Sequence, residues 1–71
     1  SGLREVLRRF RLTQARAREI PPYAVFSDAV LDQLITDQPS NRQSFLAIKG
    51  LGPAKWANYG TLILEIIEEH C

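Results

Sequence analysis

The residues whose types and spacing point most directly to chemistry surround two glycines in the second half of the chain. In the run Lys49-Gly50-Leu51-Gly52-Pro53-Ala54-Lys55, Gly52 is suited to cap a helix that Pro53 begins. The first amides of a helix have no partners within it. A lysine beside this positive end of the helix dipole costs roughly 0.3–1 kcal/mol, which a bound anion would offset. This segment, the glycine turn (residues 49–55), therefore predicts a phosphate contact at Lys49, Gly52 and Lys55.

Two other interpretations of the glycine turn must be weighed. Spacing alone equally allows a turn that binds nothing and whose lysines only keep it soluble. Nucleotide binding by a P-loop is disfavoured, because that loop needs a glycine, four residues and then Gly-Lys-Ser/Thr after a strand. Here the glycines follow a predicted helix, and Lys55 lies beyond Pro53 and Ala54.

Two aromatic residues allow different predictions. Tyr23 follows Pro21 and Pro22, and a stiff surface corner of this kind can present a ring for base stacking, worth about 1–3 kcal/mol per base. The simpler interpretation is that the Tyr23 ring seals the corner between two helices. Trp56 lies on an apolar stripe, and we predict that it belongs to the core, with its indole N–H bonded to a carbonyl or water.

The charges come in alternating blocks that nearly cancel. The net charge is +1, but residues 1–18 carry +5, residues 19–41 carry −4, residues 42–60 carry +3 and the remainder carries −3. A dedicated nucleic-acid binder is usually strongly basic, so any attraction must be local to one face. The arginines of the first block favour a solvated helix face over a phosphate track. The blocks would equally suit docking onto another domain.

Catalysis finds no support in the sequence. Asp28 and Asp32 share a helix face, but Asp37 does not, and a solvated surface explains all three without a metal. The single cysteine, Cys71, ends the chain and is expected to be inert, and His70 beside it has no obvious partner. We therefore predict a non-catalytic domain without metal or other cofactor.

The length bounds the architecture. A chain of 71 residues can close one modest core, so we predict one domain over residues 3–71, with Ser1 and Gly2 as an expression scar or an arbitrary cut. No apolar stretch approaches the ~20 residues that cross a bilayer. A lone thiol fits a reducing, cytosolic compartment.

Periodicity predicts an all-α bundle of about five short helices and no sheet. The first helix starts at Leu3 and continues until Pro21, with an apolar stripe at i, i+3, i+4 and i+7. A tight corner, of one 3₁₀ turn, covers residues 23–26. Ser27 caps a helix over Asp28 to Asp37, and the predicted inward residues of that helix are Val30, Leu31, Leu34 and Ile35.

The second half predicts a hairpin of two helices. Ser40 and Gln43 form a capping box for a short helix that starts at Asn41, and Gly50 ends that helix. A last helix follows Gly52, with a bend or a break at Gly60, because glycine costs about 1 kcal/mol against alanine in a helix. Its predicted buried residues are Ala54, Trp56, Ala57, Leu62, Ile63, Ile66 and Ile67.

Three motifs, in this order and at these spacings, form a specific combination. They are Ile-Pro-Pro-Tyr ending at Tyr23, Val-Phe-Ser-Asp-Ala over residues 25–29, and Phe-Leu-Ala-Ile-Lys-Gly-Leu-Gly-Pro-Ala-Lys over residues 45–55. With Tyr59-Gly60, they make nearly the whole chain resemble the HRDC domain, found at the C-terminus of RecQ-type DNA helicases and in RNase D. The resemblance to a bacterial RecQ-type helicase is favoured.

The resemblance implies a helical accessory domain of an ATP-driven helicase, without chemistry of its own, that binds single-stranded or branched DNA and tunes substrate choice in DNA repair and recombination. In similar domains the Pro-Pro-Tyr tyrosine and nearby basic groups touch DNA. That nominates Tyr23, Lys49 and Lys55, with Gly52 and Arg42 as neighbours. The implied setting is a monomeric domain in the bacterial cytosol or nucleoid, without membrane. Docking on other domains of the parent helicase, to regulate its ATPase and unwinding, is the alternative.

Overall fold

The long N-terminal helix organises the fold. The computed structural model describes residues 2–70, and in it α1 spans Gly2–Arg18. Leu7 and Ala15 are buried on one side of α1, while Arg16 and Arg18 in its last turn suit the negative end of the helix dipole. The helix ends where Glu19 takes a positive φ of 57°, two residues before Pro21, as the double proline predicted.

The two following helices form at the Pro-Pro-Tyr corner and the Ser-Asp motif. Helix α2, Pro22–Val25, is a single α-helical turn rather than the predicted 3₁₀ turn. Helix α3 spans Asp28–Asp37, and the Ser27 hydroxyl caps it by accepting from the Val30 amide at 3.2 Å. Both the bounds of α3 and its Ser27 cap are confirmed. The predicted inward residues Val30, Leu31 and Leu34 are buried and Ile35 is half-buried.

Helix α4 spans Arg42–Leu46, and its cap differs from the prediction. The capping box joins Asn41 and Ser44 instead of Ser40 and Gln43: the Asn41 side chain accepts from the Ser44 amide at 2.8 Å, and the Ser44 hydroxyl accepts from the Asn41 amide at 3.2 Å. The helix therefore begins one residue later than predicted. Asparagine caps as well as serine does, and the serine hydroxyl replaces the usual Glu or Gln at N3.

The last helix is continuous but not uniform. Helix α5, Pro53–Lys55, runs into a π-helical segment, Trp56–Gly60, and then into α6, Thr61–Glu69. Gly60 keeps helical dihedrals, so the predicted break is wrong, and a π segment is present instead. A Cβ on Gly60 would lie 2.2 Å from Trp56 Cε3, which shows that the Trp56 ring lies directly against this glycine.

The core draws on every helix except the short α5. Its buried apolar residues are Leu7, Ala15, Val25, Phe26, Val30, Leu31, Leu34, Phe45, Ile48, Leu51, Tyr59, Ile63 and Ile67. Three residues predicted to be buried, Ala54, Ala57 and Leu62, are exposed. Trp56 is half-buried, with its ring edge-on to Phe45 at 5.3 Å between centroids.

The described chain is an all-α bundle, as predicted. No strand occurs between residues 2 and 70. The radius of gyration is 10.9 Å, close to the value of about 11 Å expected for a compact chain of this length. Within the same range of residues, no helix combines the length and the apolar character needed to cross a membrane. Gly2 lies in α1, while Ser1 and Cys71 lie outside the described residues.

Candidate nucleic-acid interface

Tyr23 is a solvent-facing ring on a stiff turn. It occupies α2 directly after Pro22, and Pro21 holds the extended dihedrals that lead into this turn. Tyr23 is 73% exposed, whereas the neighbouring Val25 and Phe26 are buried. Val25 and Phe26 therefore seal the corner, and the ring of Tyr23 is left open to solvent. Such a ring has a free face for stacking.

A hydrogen bond joins the glycine turn to the Tyr23 turn. The ammonium group of Lys55, at the end of α5, donates to the main-chain carbonyl of Ala24, the residue that follows Tyr23. Lys55 is half-buried. Because an ammonium has three donors, this bond leaves two for another acceptor. The structure thus brings together two of the residues nominated from the sequence, and gives Lys55 a structural contact that the sequence did not predict.

Lys49 lies on the other flank of the glycine turn, against α3. It is exposed and lines an open groove of about 400 Å³ together with Gly50, Gln33 and Asp37. Asp37 accepts a hydrogen bond from the side-chain amide of Gln33 at 2.9 Å. Lys49 itself makes no ion pair with any residue between 2 and 70. Its charge is therefore available, but an acidic side chain shares its groove.

Gly52 and Arg42 both lie at helix starts. Gly52 is the N-cap of α5 with an extended backbone, and a Cβ added there would have no heavy atom within 4 Å. Arg42 is the first residue of α4 and is exposed, without an ion pair inside the described range. No hydrogen bond or ion pair links Arg42 to Tyr23 or to the glycine turn in that range.

The acidic and basic blocks of the sequence meet between α1 and α3. Arg4 pairs with Asp32 at 2.9 Å, and Arg11 pairs with Asp28 at the same distance. Arg11 also donates to the carbonyl of Phe26 at 3.2 Å and lies over the Phe26 ring. These two aspartates are thereby partly neutralised, so they repel phosphate near Tyr23 less than their sequence positions implied. The opposite charges of the two blocks indicated that such ion pairs could form, but the sequence alone did not show which residues pair.

Two contacts with the ring of Tyr59 join α1 to the last helix. Tyr59, in the π segment, is 4% exposed, and its ring stands edge-on to Phe10 at 6.2 Å between centroids. The guanidinium of Arg18 lies 4.9 Å from the centre of the same ring. Cation–π contacts stabilise by about 0.5–1 kcal/mol at exposed sites and by about 2 kcal/mol when desolvated; here the ring is buried and the arginine is exposed. The Arg-rich helix is therefore only partly the solvated face that the sequence predicted.

Comparison with known families decides what this bundle is. A family model described as the HRDC domain matches residues 1–67, and these residues include the Pro-Pro-Tyr corner, the Ser27 cap and the glycine turn. The chain belongs to the HRDC domain family. The resemblance stated from the three motifs is therefore confirmed, together with the all-α fold that it implied.

The relatives of this HRDC domain are much longer proteins. It is 41% identical over 66 residues to the ATP-dependent DNA helicase RecQ of Bacillus subtilis, covering 93% of the chain and 11% of that helicase. It is 36% identical over 64 residues to the RecQ helicase of Pasteurella multocida, covering 90% and 10%. The ATP-dependent DNA helicase UvrD2 of Mycobacterium tuberculosis is 31% identical over 61 residues, covering 86% and 9%. The HRDC domain thus spans about a tenth of these relatives.

The described part of the HRDC domain shows no assembled metal site. Among residues 2–70, no three His, Cys, Asp or Glu side chains come close enough together to hold an ion. Each of the three acidic residues of α3 instead bonds to a nitrogen group within the domain, namely those of Arg11, Arg4 and Gln33. His70 Nδ1 lies 2.8 Å from the carbonyl of Ile66, one turn back.

Proposed function

We propose that this HRDC domain is a non-catalytic accessory domain of an ATP-dependent, RecQ-type DNA helicase and that it binds single-stranded or branched DNA weakly. In this role it would tune substrate choice during DNA repair and recombination in the bacterial cytosol. The helicase names of the relatives support the nature of the parent protein. The proposed contacts are Tyr23, Lys49, Gly52 and Lys55, with Arg42 as a peripheral one.

The exposure of Tyr23 is the observation that carries this proposal. Tyr23 is 73% exposed, so most of its apolar surface is available to a ligand. Because it follows two prolines, its backbone is stiff, and little conformational entropy is lost when a base stacks on the ring. The Lys55 bond to Ala24 places a cation beside the same turn. An aromatic platform next to a positive charge is the usual arrangement for single-stranded nucleic acid.

The charge distribution predicts weak binding. The net charge is +1, and Asp37 shares the groove of Lys49, so only a few cations are available to phosphates. Each phosphate neutralised by a single-strand binder contributes a slope of about −0.7 to the dependence of log K on log salt. With two or three phosphate contacts, we expect a total slope of about −1.4 to −2.1.

The test is a titration of the isotope-labelled domain with oligothymidylate at low salt, followed by amide NMR shifts and by anisotropy. Tyr23→Ala should weaken binding about 5- to 150-fold, the equivalent of one stacked base. Leu62→Ala is the matched control, because Leu62 is also a large exposed side chain, at 43%, but lies on α6. Movement of other residues while Tyr23, Lys49, Gly52 and Lys55 stay still would refute the site. An absence of all shifts would refute DNA binding.

An apolar groove favours a second candidate function, docking on the parent helicase. The groove, of about 280 Å³, lies between Pro39 and α6, and its lining includes Leu64, Ile67, Glu65 and Glu68. This chemistry suits a segment with an apolar side chain flanked by Lys or Arg. Added in trans to a helicase that lacks the domain, the isolated domain should change ATPase or unwinding rates, and Glu68→Lys should reduce that effect. Unchanged rates without detectable association would exclude docking.

A further inference from the structure

A groove between α1 and α2 is not used by the contacts proposed above. It has a volume of about 320 Å³ and is open to solvent. Its lining consists of Glu5, Arg8, Arg9, Arg11, Leu12 and Pro22. Pro22 directly precedes Tyr23, so the groove borders the turn that carries the exposed ring.

Arg8 is the cation of this groove that is free to bind a ligand. Arg11 is committed to Asp28 and to the Phe26 carbonyl, and its side chain is 13% exposed. Arg9 lies 3.9 Å from Glu5, the outer limit of an ion pair. Arg8 is exposed and makes no hydrogen bond or ion pair with any residue from 2 to 70. It also lines the adjoining groove, formed with Arg4 and α3, so the Arg8 side chain borders both grooves.

The groove also has an apolar wall. Leu12 is 40% exposed and lines the groove together with Pro22. Leu12 and Tyr23 are two of the three large apolar side chains that are exposed among the described residues. An apolar wall beside arginines fits a chain that alternates sugar or base with phosphate, and the groove lining carries a net charge of +2 that favours an anion.

We infer that this groove binds phosphodiester groups of the strand whose base stacks on Tyr23, with Arg8 as the principal phosphate ligand and Arg9 as a second one. This inference rests on the proposed function and extends it, since it places the strand along α1 as well as along the glycine turn. Glu5 opposes binding: it places a negative charge in the groove and competes for Arg9. The Arg-rich helix, which the sequence favoured as a solvated face, then supplies part of the interface.

The experiment compares charge-neutral variants of matched length in an anisotropy titration with oligothymidylate over a series of low salt concentrations. Arg8→Gln should weaken binding about two- to fivefold. It should also make the dependence of log K on log salt shallower by about 0.7. Glu5→Gln should strengthen binding by a similar factor. Arg16→Gln is the control: Arg16 is exposed and unpaired within the described residues, lies about 12 Å further along α1, and is not part of the groove lining. It should bind like the wild type.

The outcomes separate this inference from the proposed function. If Tyr23→Ala loses affinity but Arg8→Gln keeps the wild-type slope, the groove is refuted and stacking survives. Equal losses for Arg8→Gln and Arg16→Gln would show diffuse attraction, which also refutes the groove. Inorganic polyphosphate, which has no bases, should shift the amides of Arg8, Arg9 and Leu12. If these amides shift with polyphosphate but Tyr23 does not respond to DNA, the groove is supported and the stacking site is not. If they do not shift, the result counts against the groove.

Discussion

The ammonium group of Lys55 donates a hydrogen bond to the carbonyl of Ala24, which lies 31 residues earlier in the chain. This bond ties the start of the last helix to the turn that carries Tyr23. Lys55 therefore differs from Lys49, which lies on the same glycine turn but makes no ion pair among the described residues. The two lysines, equivalent by sequence reasoning, have separable roles.

Substitution of these lysines by methionine should show which of the two stabilises the fold. Lys55→Met keeps the aliphatic stem but loses a part-buried bond to a charged donor, so the free energy of unfolding should fall by about 1–2 kcal/mol. Lys49→Met should change the free energy of unfolding by less than about 0.5 kcal/mol. It should make the salt dependence of oligothymidylate binding shallower by about 0.7 in log K against log salt. Urea unfolding and anisotropy measure the two quantities. Equal stability of the two variants would contradict the structural role of Lys55.

The two glycines of the glycine turn should respond oppositely to added side chains. Gly50 has a φ of +100°, and a Cβ there would lie 2.7 Å from Val30 Cγ2. Gly50→Ala should therefore destabilise the domain by about 1–3 kcal/mol. Gly52→Ser is the control, because the space around Gly52 is open, its backbone is extended and serine is a good N-cap. It should unfold at the same urea concentration as the wild type or slightly above it. A tolerated Gly50→Ala would show that the turn can change conformation.

Gly60 should be intolerant of alanine for steric reasons alone. Its dihedrals are helical, so alanine would gain about 1 kcal/mol in helix propensity. The added Cβ would lie 2.2 Å from Trp56 Cε3 and 2.5 Å from Cδ2, however, and displacing the ring from Phe45 should leave a net loss of about 1–2 kcal/mol. In a Trp56→Leu background, Gly60→Ala should be neutral or stabilising. This double-mutant cycle, measured by thermal or urea unfolding, would show no coupling if the overlap is relieved by other means.

The two ion pairs between α1 and α3 should contribute unequally. Arg11 has a side chain that is 13% exposed and contacts both Asp28 and the Phe26 carbonyl, so Arg11→Met should cost about 1–3 kcal/mol. Arg4 and Asp32 have side chains that are 49% and 63% exposed, and Arg4→Met should cost less than about 1 kcal/mol. Added salt should reduce the Arg4 difference further. A larger loss at Arg4 would mean that burial of Arg11 does not strengthen its contacts.

Much of the fold was predictable because its signals are local. Serine caps, prolines at first helical turns and apolar residues at three- and four-residue spacing each act within a few positions of the chain. Helix α3 and its Ser27 cap were predicted from such signals. The Asn41–Ser44 box was missed because several residues near Pro39 can cap, and only the final path of the loop selects one. The π segment was missed because no cap or spacing within a few residues marks it; in the structure its two ends, Trp56 and Gly60, lie against each other.

The candidate site was likewise only partly predictable from the sequence. The sequence by itself determined the residue types, namely an aromatic ring after two prolines, a glycine turn with flanking lysines and an Arg-rich helix, and these sufficed for the family. Only the tertiary structure decided which of them meet: Lys55 reaches Ala24, Arg11 and Arg4 reach α3, and Arg8 is left free beside Pro22. The reason is physical, since caps and periodicity depend on neighbours in the chain, whereas exposure and charge pairing depend on how the helices pack.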